Sequence, residues 1–62
     1  MTTIEKLEHV IRKHNADVEL FADLKADAIY CEISHRGICL AYQRAPSLEE
    51  AIVAALGEMN EL

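Results

Sequence analysis

Glycine, proline and cysteine are scarce in this 62-residue chain, which has two glycines, one proline and two cysteines. Gly37 and Gly57 are too few and too far apart for the phosphate loop G-x-x-x-x-G-K-S/T or for a dinucleotide fingerprint. They also rule out a glycine-rich oxyanion loop. Two cysteines allow at most one disulfide. Basic residues are few as well: 6 against 11 acids, a formal charge of −5. Nonspecific nucleic-acid binding needs a net basic surface, and an anionic membrane would repel this chain. No apolar run is long enough to span a bilayer. The opening MTTIEKLEHV has neither the basic n-region nor the apolar h-region of a signal peptide. The expectation is a cytoplasmic protein with reduced thiols.

What is present is an ordinary hydrophobic share of 52%, enough for a folded domain. A chain this short forms one domain with a small core, and such domains commonly gain stability from a partner chain. A homodimer or another protein partner is therefore expected. The acidic balance allows that partner to be basic.

Thr2 to His14 reads as a helix, with Ile4, Leu7, Val10, Ile11 and His14 on the helical period. Thr2 and Glu5 have capping-box spacing, and Asn15 is the stop. From Asp17 to Lys25, Val18, Leu20, Ala22 and Leu24 alternate with Asp17, Glu19, Phe21, Asp23 and Lys25. That favours a strand over a helix that would group Val18, Phe21 and Leu24. Ala26 and Asp27 then turn the chain.

The run IYCEISHRGICLAYQ, Ile29 to Gln43, is a hairpin pattern. A four-residue loop, Ser34 to Gly37, pairs Ile33 with Ile38, Cys31 with Leu40 and Ile29 with Tyr42. Cys31 then faces the core, and Cys39 the opposite side with Glu32. The two thiols can neither bridge nor share an ion. Ser47 to Leu62 reads as a second helix, with a second capping box at Ser47 and Glu50. Its stripe of Leu48, Ala51, Ile52, Ala55, Leu56 and Met59 implies cover on more than one side.

The expected fold is α+β, a two-layer sandwich of order α-β-β-β-α. Its three-stranded antiparallel meander has both helices on the face lined by Val18, Leu20, Leu24, Ile29, Cys31, Ile33, Ile38, Leu40 and Tyr42. The other face would carry Phe21, Tyr30, Cys39 and Ala41 among Glu19, Asp23, Glu32 and Gln43. Aromatics ringed by acids suit a protein contact, and the meander leaves two edges open to pairing.

No catalytic, cofactor-binding or metal-ligating set emerges. His35 lies past the end of the strand that carries Cys31. His9 and His14 are five residues apart, which diverges on a helix. Glu49 and Glu50 suit the dipole of the helix they open. The residues expected to bind a partner are Phe21, Tyr30 and Glu32, with Asp23 and Glu19 as an acidic rim.

The order α-β-β-β-α resembles the double-stranded-RNA-binding domain over nearly the whole chain. That family starts its last helix with a basic K-K-x-x-K-type cluster that holds phosphates across the major groove. Here the segment is Pro46-Ser47-Leu48-Glu49-Glu50-Ala51, with the charge reversed, so the resemblance implies the fold without RNA binding. Ser47-Leu48-Glu49-Glu50-Ala51-Ile52 after a strand also resembles the strand-to-helix step of HicB-type antitoxins, although the rest of the chain departs from their β-β-β-α start. In type, a very small acidic α/β chain is similar to bacteriophage accessory proteins, including anti-CRISPR proteins that cover basic surfaces of host nucleic-acid machinery. That resemblance implies a non-enzymatic inhibitor.

Overall fold

A computed structural model describes residues Met1–Leu62. The order is α1 (Thr3–His14), β1 (Asp17–Asp23), β2 (Ala28–His35), β3 (Ile38–Ala45) and α2 (Leu48–Glu58). The strands form one antiparallel sheet in the order β1-β2-β3. The α+β meander is thus as the pattern implied.

Local chemistry sets the boundaries. Thr2 Oγ1 accepts the Glu5 N–H at 3.1 Å, and Glu5 Oε1 accepts the Thr2 N–H at 2.9 Å, a complete capping box. Asn15 ends α1 in the left-handed region at φ 50°. The next N–H, from Ala16, reaches back to the Ile11 carbonyl at 3.0 Å. This closure points buried Ala16 into the core and starts β1.

β1 runs two residues less than the alternation suggested. Asp23 Oδ1 accepts the N–H groups of Lys25 and Ala26 at 3.1 and 3.2 Å, so the side chain draws the backbone out of the ladder. Leu24 therefore starts the turn, which runs to Asp27, and is 90% exposed, not a core residue.

The β2–β3 hairpin corrects the expected loop and register. It closes on two residues, Arg36 and Gly37, both at positive φ (50° and 80°), as a type I′ turn requires. His35 pairs with Ile38, and Ser34 with Cys39. A bulge then shifts the ladder, so that Ile33 pairs with Ala41, Cys31 with Gln43 and Ile29 with Ala45. Beyond the bulge every β3 side chain changes face. Ala41 lies buried beneath α2, while Tyr42 stands on the outer face. The small side chains of Ala41 and Ala45 let α2 settle over β3 and β2. A tyrosine ring there would overfill so small a core. Ile38, expected in the core, lies at the hairpin tip and is 65% exposed.

The core is one cluster: Leu7 and Val10 of α1, Ala16, Cys31, Ile33, Ala41, and Ala51, Ile52, Ala55 and Leu56 of α2. α2 is covered on two sides, by the sheet and by α1. The helices run parallel: Thr3 Oγ1 donates to Glu49 Oε1 near their starts, and Lys13 Nζ donates to Glu61 near their ends. Ile4, which follows the period of α1, is nonetheless 59% exposed, beside half-exposed Leu48.

α2 is shorter than expected, ending at Glu58. Asn60 is left-handed (φ 62°), and Glu61 N–H bonds the Leu56 carbonyl at 2.8 Å while Asn60 N–H bonds that of Gly57 at 3.0 Å. This is a Schellman closure. Its second capping box is incomplete: Ser47 Oγ accepts the Glu50 N–H at 3.3 Å but donates to the Glu50 carboxylate at 2.8 Å.

Candidate protein-contact surface

The cross-strand register turns the outer sheet face into a small grid. Asp17 stands opposite Ser34, and Ser34 opposite Cys39. Glu19 stands opposite Glu32, and Glu32 opposite Tyr42. Phe21 stands opposite Tyr30, and Tyr30 opposite Arg44. Four of the five residues expected to bind a partner, Phe21, Tyr30, Glu19 and Glu32, are adjacent here. Asp23 lies at the end of the same column, half-buried, with one oxygen committed to the turn.

Three aromatic rings pack together on this face. Phe21 and Tyr30 stack with centroids 5.1 Å apart and planes 13° apart. Tyr42 leans across both, 6.3 Å from Phe21 and 5.6 Å from Tyr30. Each such pair contributes about 0.5–1.5 kcal/mol beyond its buried area. Even so, Phe21 and Tyr42 remain 42% and 46% exposed. The cluster is ordered by its own contacts and still presents its rings to solvent.

Around the rings the charges are unpaired. The molecule's ion pairs are Arg12–Glu8 within α1, and Lys13–Glu61 and His14–Glu61 between α1 and the segment past α2. Glu19, Glu32 and Arg44 make none. Like charges directly opposite in a sheet destabilise it, and Asp17, Glu19 and Glu32 outnumber the one cation of this face, Arg44.

Tyr42 and Arg44 were missed by pattern reading, and Ala41 and Gln43 were assigned to this face in their stead. Ala41 and Gln43 lie on the helix side. Gln43 Nε2 donates to Glu58 Oε1, which also accepts the Tyr42 N–H at 3.1 Å. These two bonds, the Gln43 amide first, hold the Glu58 carboxyl below its ordinary 4.5. The missed signal was the pair of small residues Ala41 and Ala45, spaced to share one strand face.

Elsewhere the surface offers little chemistry. Cys31 is buried and Cys39 exposed, both free, and burial pushes the Cys31 thiol up. His35 Nδ1 lies 3.0 Å from the Asn15 carbonyl, tying the hairpin to the α1–β1 corner. No three His, Cys, Asp or Glu side chains are grouped to hold a metal. The largest hollow, about 350 Å³, is open and lined by Ala26, Asp27, Ala28, Arg44, Ala45 and Pro46. No helix is long and apolar enough to cross a membrane. Comparison with family models, curated proteins and solved structures finds no match.

Proposed function

We propose that this chain is a non-enzymatic protein-binding module of the cytoplasm whose contact surface is the outer sheet face. One observation carries the reading: three rings in mutual contact, half-exposed, stand beside two carboxylates that enter no ion pair. Aromatic residues are enriched at protein interfaces and supply most hot spots. Unpaired Glu19 and Glu32 select a basic partner by steering and by charge complementarity. A basic nucleic-acid-binding protein fits that description, and covering its binding surface would make this chain an inhibitor of the phage-accessory type. Duplex RNA itself is a poor fit, because α2 opens with Glu49 and Glu50 where phosphate contacts need bases.

A homodimer closed through the same rings is the second reading. Only 10 of 62 residues are buried, and a second chain would enlarge that small core. Against it, a facing copy would bring four more carboxylates, Asp17, Glu19, Asp23 and Glu32, against one Arg44.

Affinity capture from a host lysate, with the captured proteins identified, tests the first reading. The native chain is expected to retain a basic nucleic-acid-binding protein, and the folded Glu19→Lys/Glu32→Lys variant to lose it. Equal capture by both proteins refutes the surface assignment.

A further inference from the structure

The two edges of the sheet differ in how they are protected. At β3, the Glu58 carboxylate from α2 occupies the Tyr42 N–H at 3.1 Å and is held there by Gln43. At β1, no backbone hydrogen bond is made apart from the ladder to β2, and no side chain from another element reaches its backbone. The helix layer also stops short of β1. Leu20 and Ala22 point to the helix side, opposite Cys31 and Ile29, yet Leu20 is 44% exposed and Ala22 is exposed too. A seven-residue strand thus has free backbone donors and acceptors along about 23 Å, apolar side chains on one flank and Asp17 and Glu19 on the other.

We propose that β1 is a docking edge for an extended basic segment of a partner protein, added as a fourth strand. Backbone pairing would supply affinity, and alternate side chains specificity. The segment's aliphatic residues would lie beside Leu20 and Ala22, and its Lys or Arg residues beside Asp17 and Glu19, with Glu32 one strand further on. A second copy of β1 is disfavoured by charge. Antiparallel self-pairing centred on Leu20 sets Asp17 against Asp23 twice, and centring on Phe21 sets Glu19 against Asp23 twice. This inference rests on the reading of the domain as protein-binding, and names the form and charge of what it binds.

The test uses the full chain, labelled with nitrogen-15, and a synthetic nine-residue peptide alternating valine with lysine and arginine. Binding is expected to shift the β1 amides and slow their hydrogen exchange. N-methylation of alternate peptide amides, which keeps every charge but removes backbone donors, is expected to abolish binding. Asp17→Lys/Glu19→Lys is expected to weaken it by about tenfold or more, since each reversal replaces attraction with repulsion. Tyr42→Ala is expected to weaken capture of the natural partner, whereas N-methylation acts on backbone pairing of the peptide alone. That contrast separates failure at the edge from failure of the outer face. Equal binding of the N-methylated peptide, shifts confined to Tyr30 and Tyr42, or no binding at millimolar peptide each overturns the proposal. So does β1 protection that rises with protein concentration in the absence of peptide.

Discussion

Glu19 of β1 stands directly opposite Glu32 of β2 on the outer sheet face, and neither carboxylate meets a cation. Such a pair weakens the sheet by a few tenths to about 1 kcal/mol. Glu32→Gln is therefore expected to stabilise the isolated domain by about 0.5 kcal/mol in urea unfolding, with a smaller gain at high salt because screening already reduces the repulsion. The same substitution is expected to weaken partner capture. A variant that is less stable at low salt would show that Glu32 is satisfied in the free protein.

Register can be tested at two neighbouring positions. Ala41 is fully buried under α2, and Tyr42 is half-exposed on the opposite face. Ala41→Leu is expected to cost about 1–3 kcal/mol by overpacking. Tyr42→Phe, which keeps both ring contacts on an exposed face, is expected to cost less than about 0.5 kcal/mol. The reverse ranking, measured by thermal or urea unfolding, would restore the unbulged ladder.

Cysteine alkylation reads the same faces chemically. Cys39 is exposed, and Cys31 is buried with its thiol pushed up by burial, so thiolate is scarce and inaccessible there. Mass spectrometry of the native protein is expected to show one adduct, on Cys39, and two after denaturation. Rapid double labelling of the folded chain would contradict the assignment of Cys31 to the core.

Three carboxylates accept hydrogen bonds that hold each below its ordinary 4.5. Glu5 is lowered by Thr2, Glu58 by Gln43 and then Tyr42, and Glu61 by Lys13 and then His14. A carboxyl lowered on folding binds fewer protons in the native state. Its stabilisation is present above the unfolded value and is lost as pH falls through the folded one. Unfolding free energy is thus expected to decline below about pH 4.5, less steeply in Glu58→Gln, which keeps a side-chain oxygen as acceptor but cannot titrate. An unchanged acid limb in that variant would show that Glu58 does not contribute to the decline.

The helix starts, the Asn15 stop, the three strands and the opposed cysteines were legible because each rests on local chemistry: a cap, a period or an alternation. So was the column Glu19, Phe21, Tyr30 and Glu32, which lies where β1 and β2 pair without interruption. The face of β3 was not legible. On that strand both phases carry apolar residues, Leu40 and Tyr42 in one and Ala41 and Ala45 in the other. The choice falls to the helix that packs on it, and the bulge past Cys39 makes the switch. Leu24 and Leu62 were over-read for a related reason. Apolar residues at element ends extend a pattern, while Asp23 and Asn60 end the elements through backbone hydrogen bonds and a left-handed turn.

Size-exclusion chromatography with light scattering, on the chain alone and then mixed with the captured partner, reports whether the outer sheet face binds another protein. The expected result is a monomer of 7.0 kDa that shifts into a complex, and a Glu19→Lys/Glu32→Lys variant that stays free. A stable dimer that binds nothing further, with its tyrosines already buried, would contradict it and show that the outer face serves self-association.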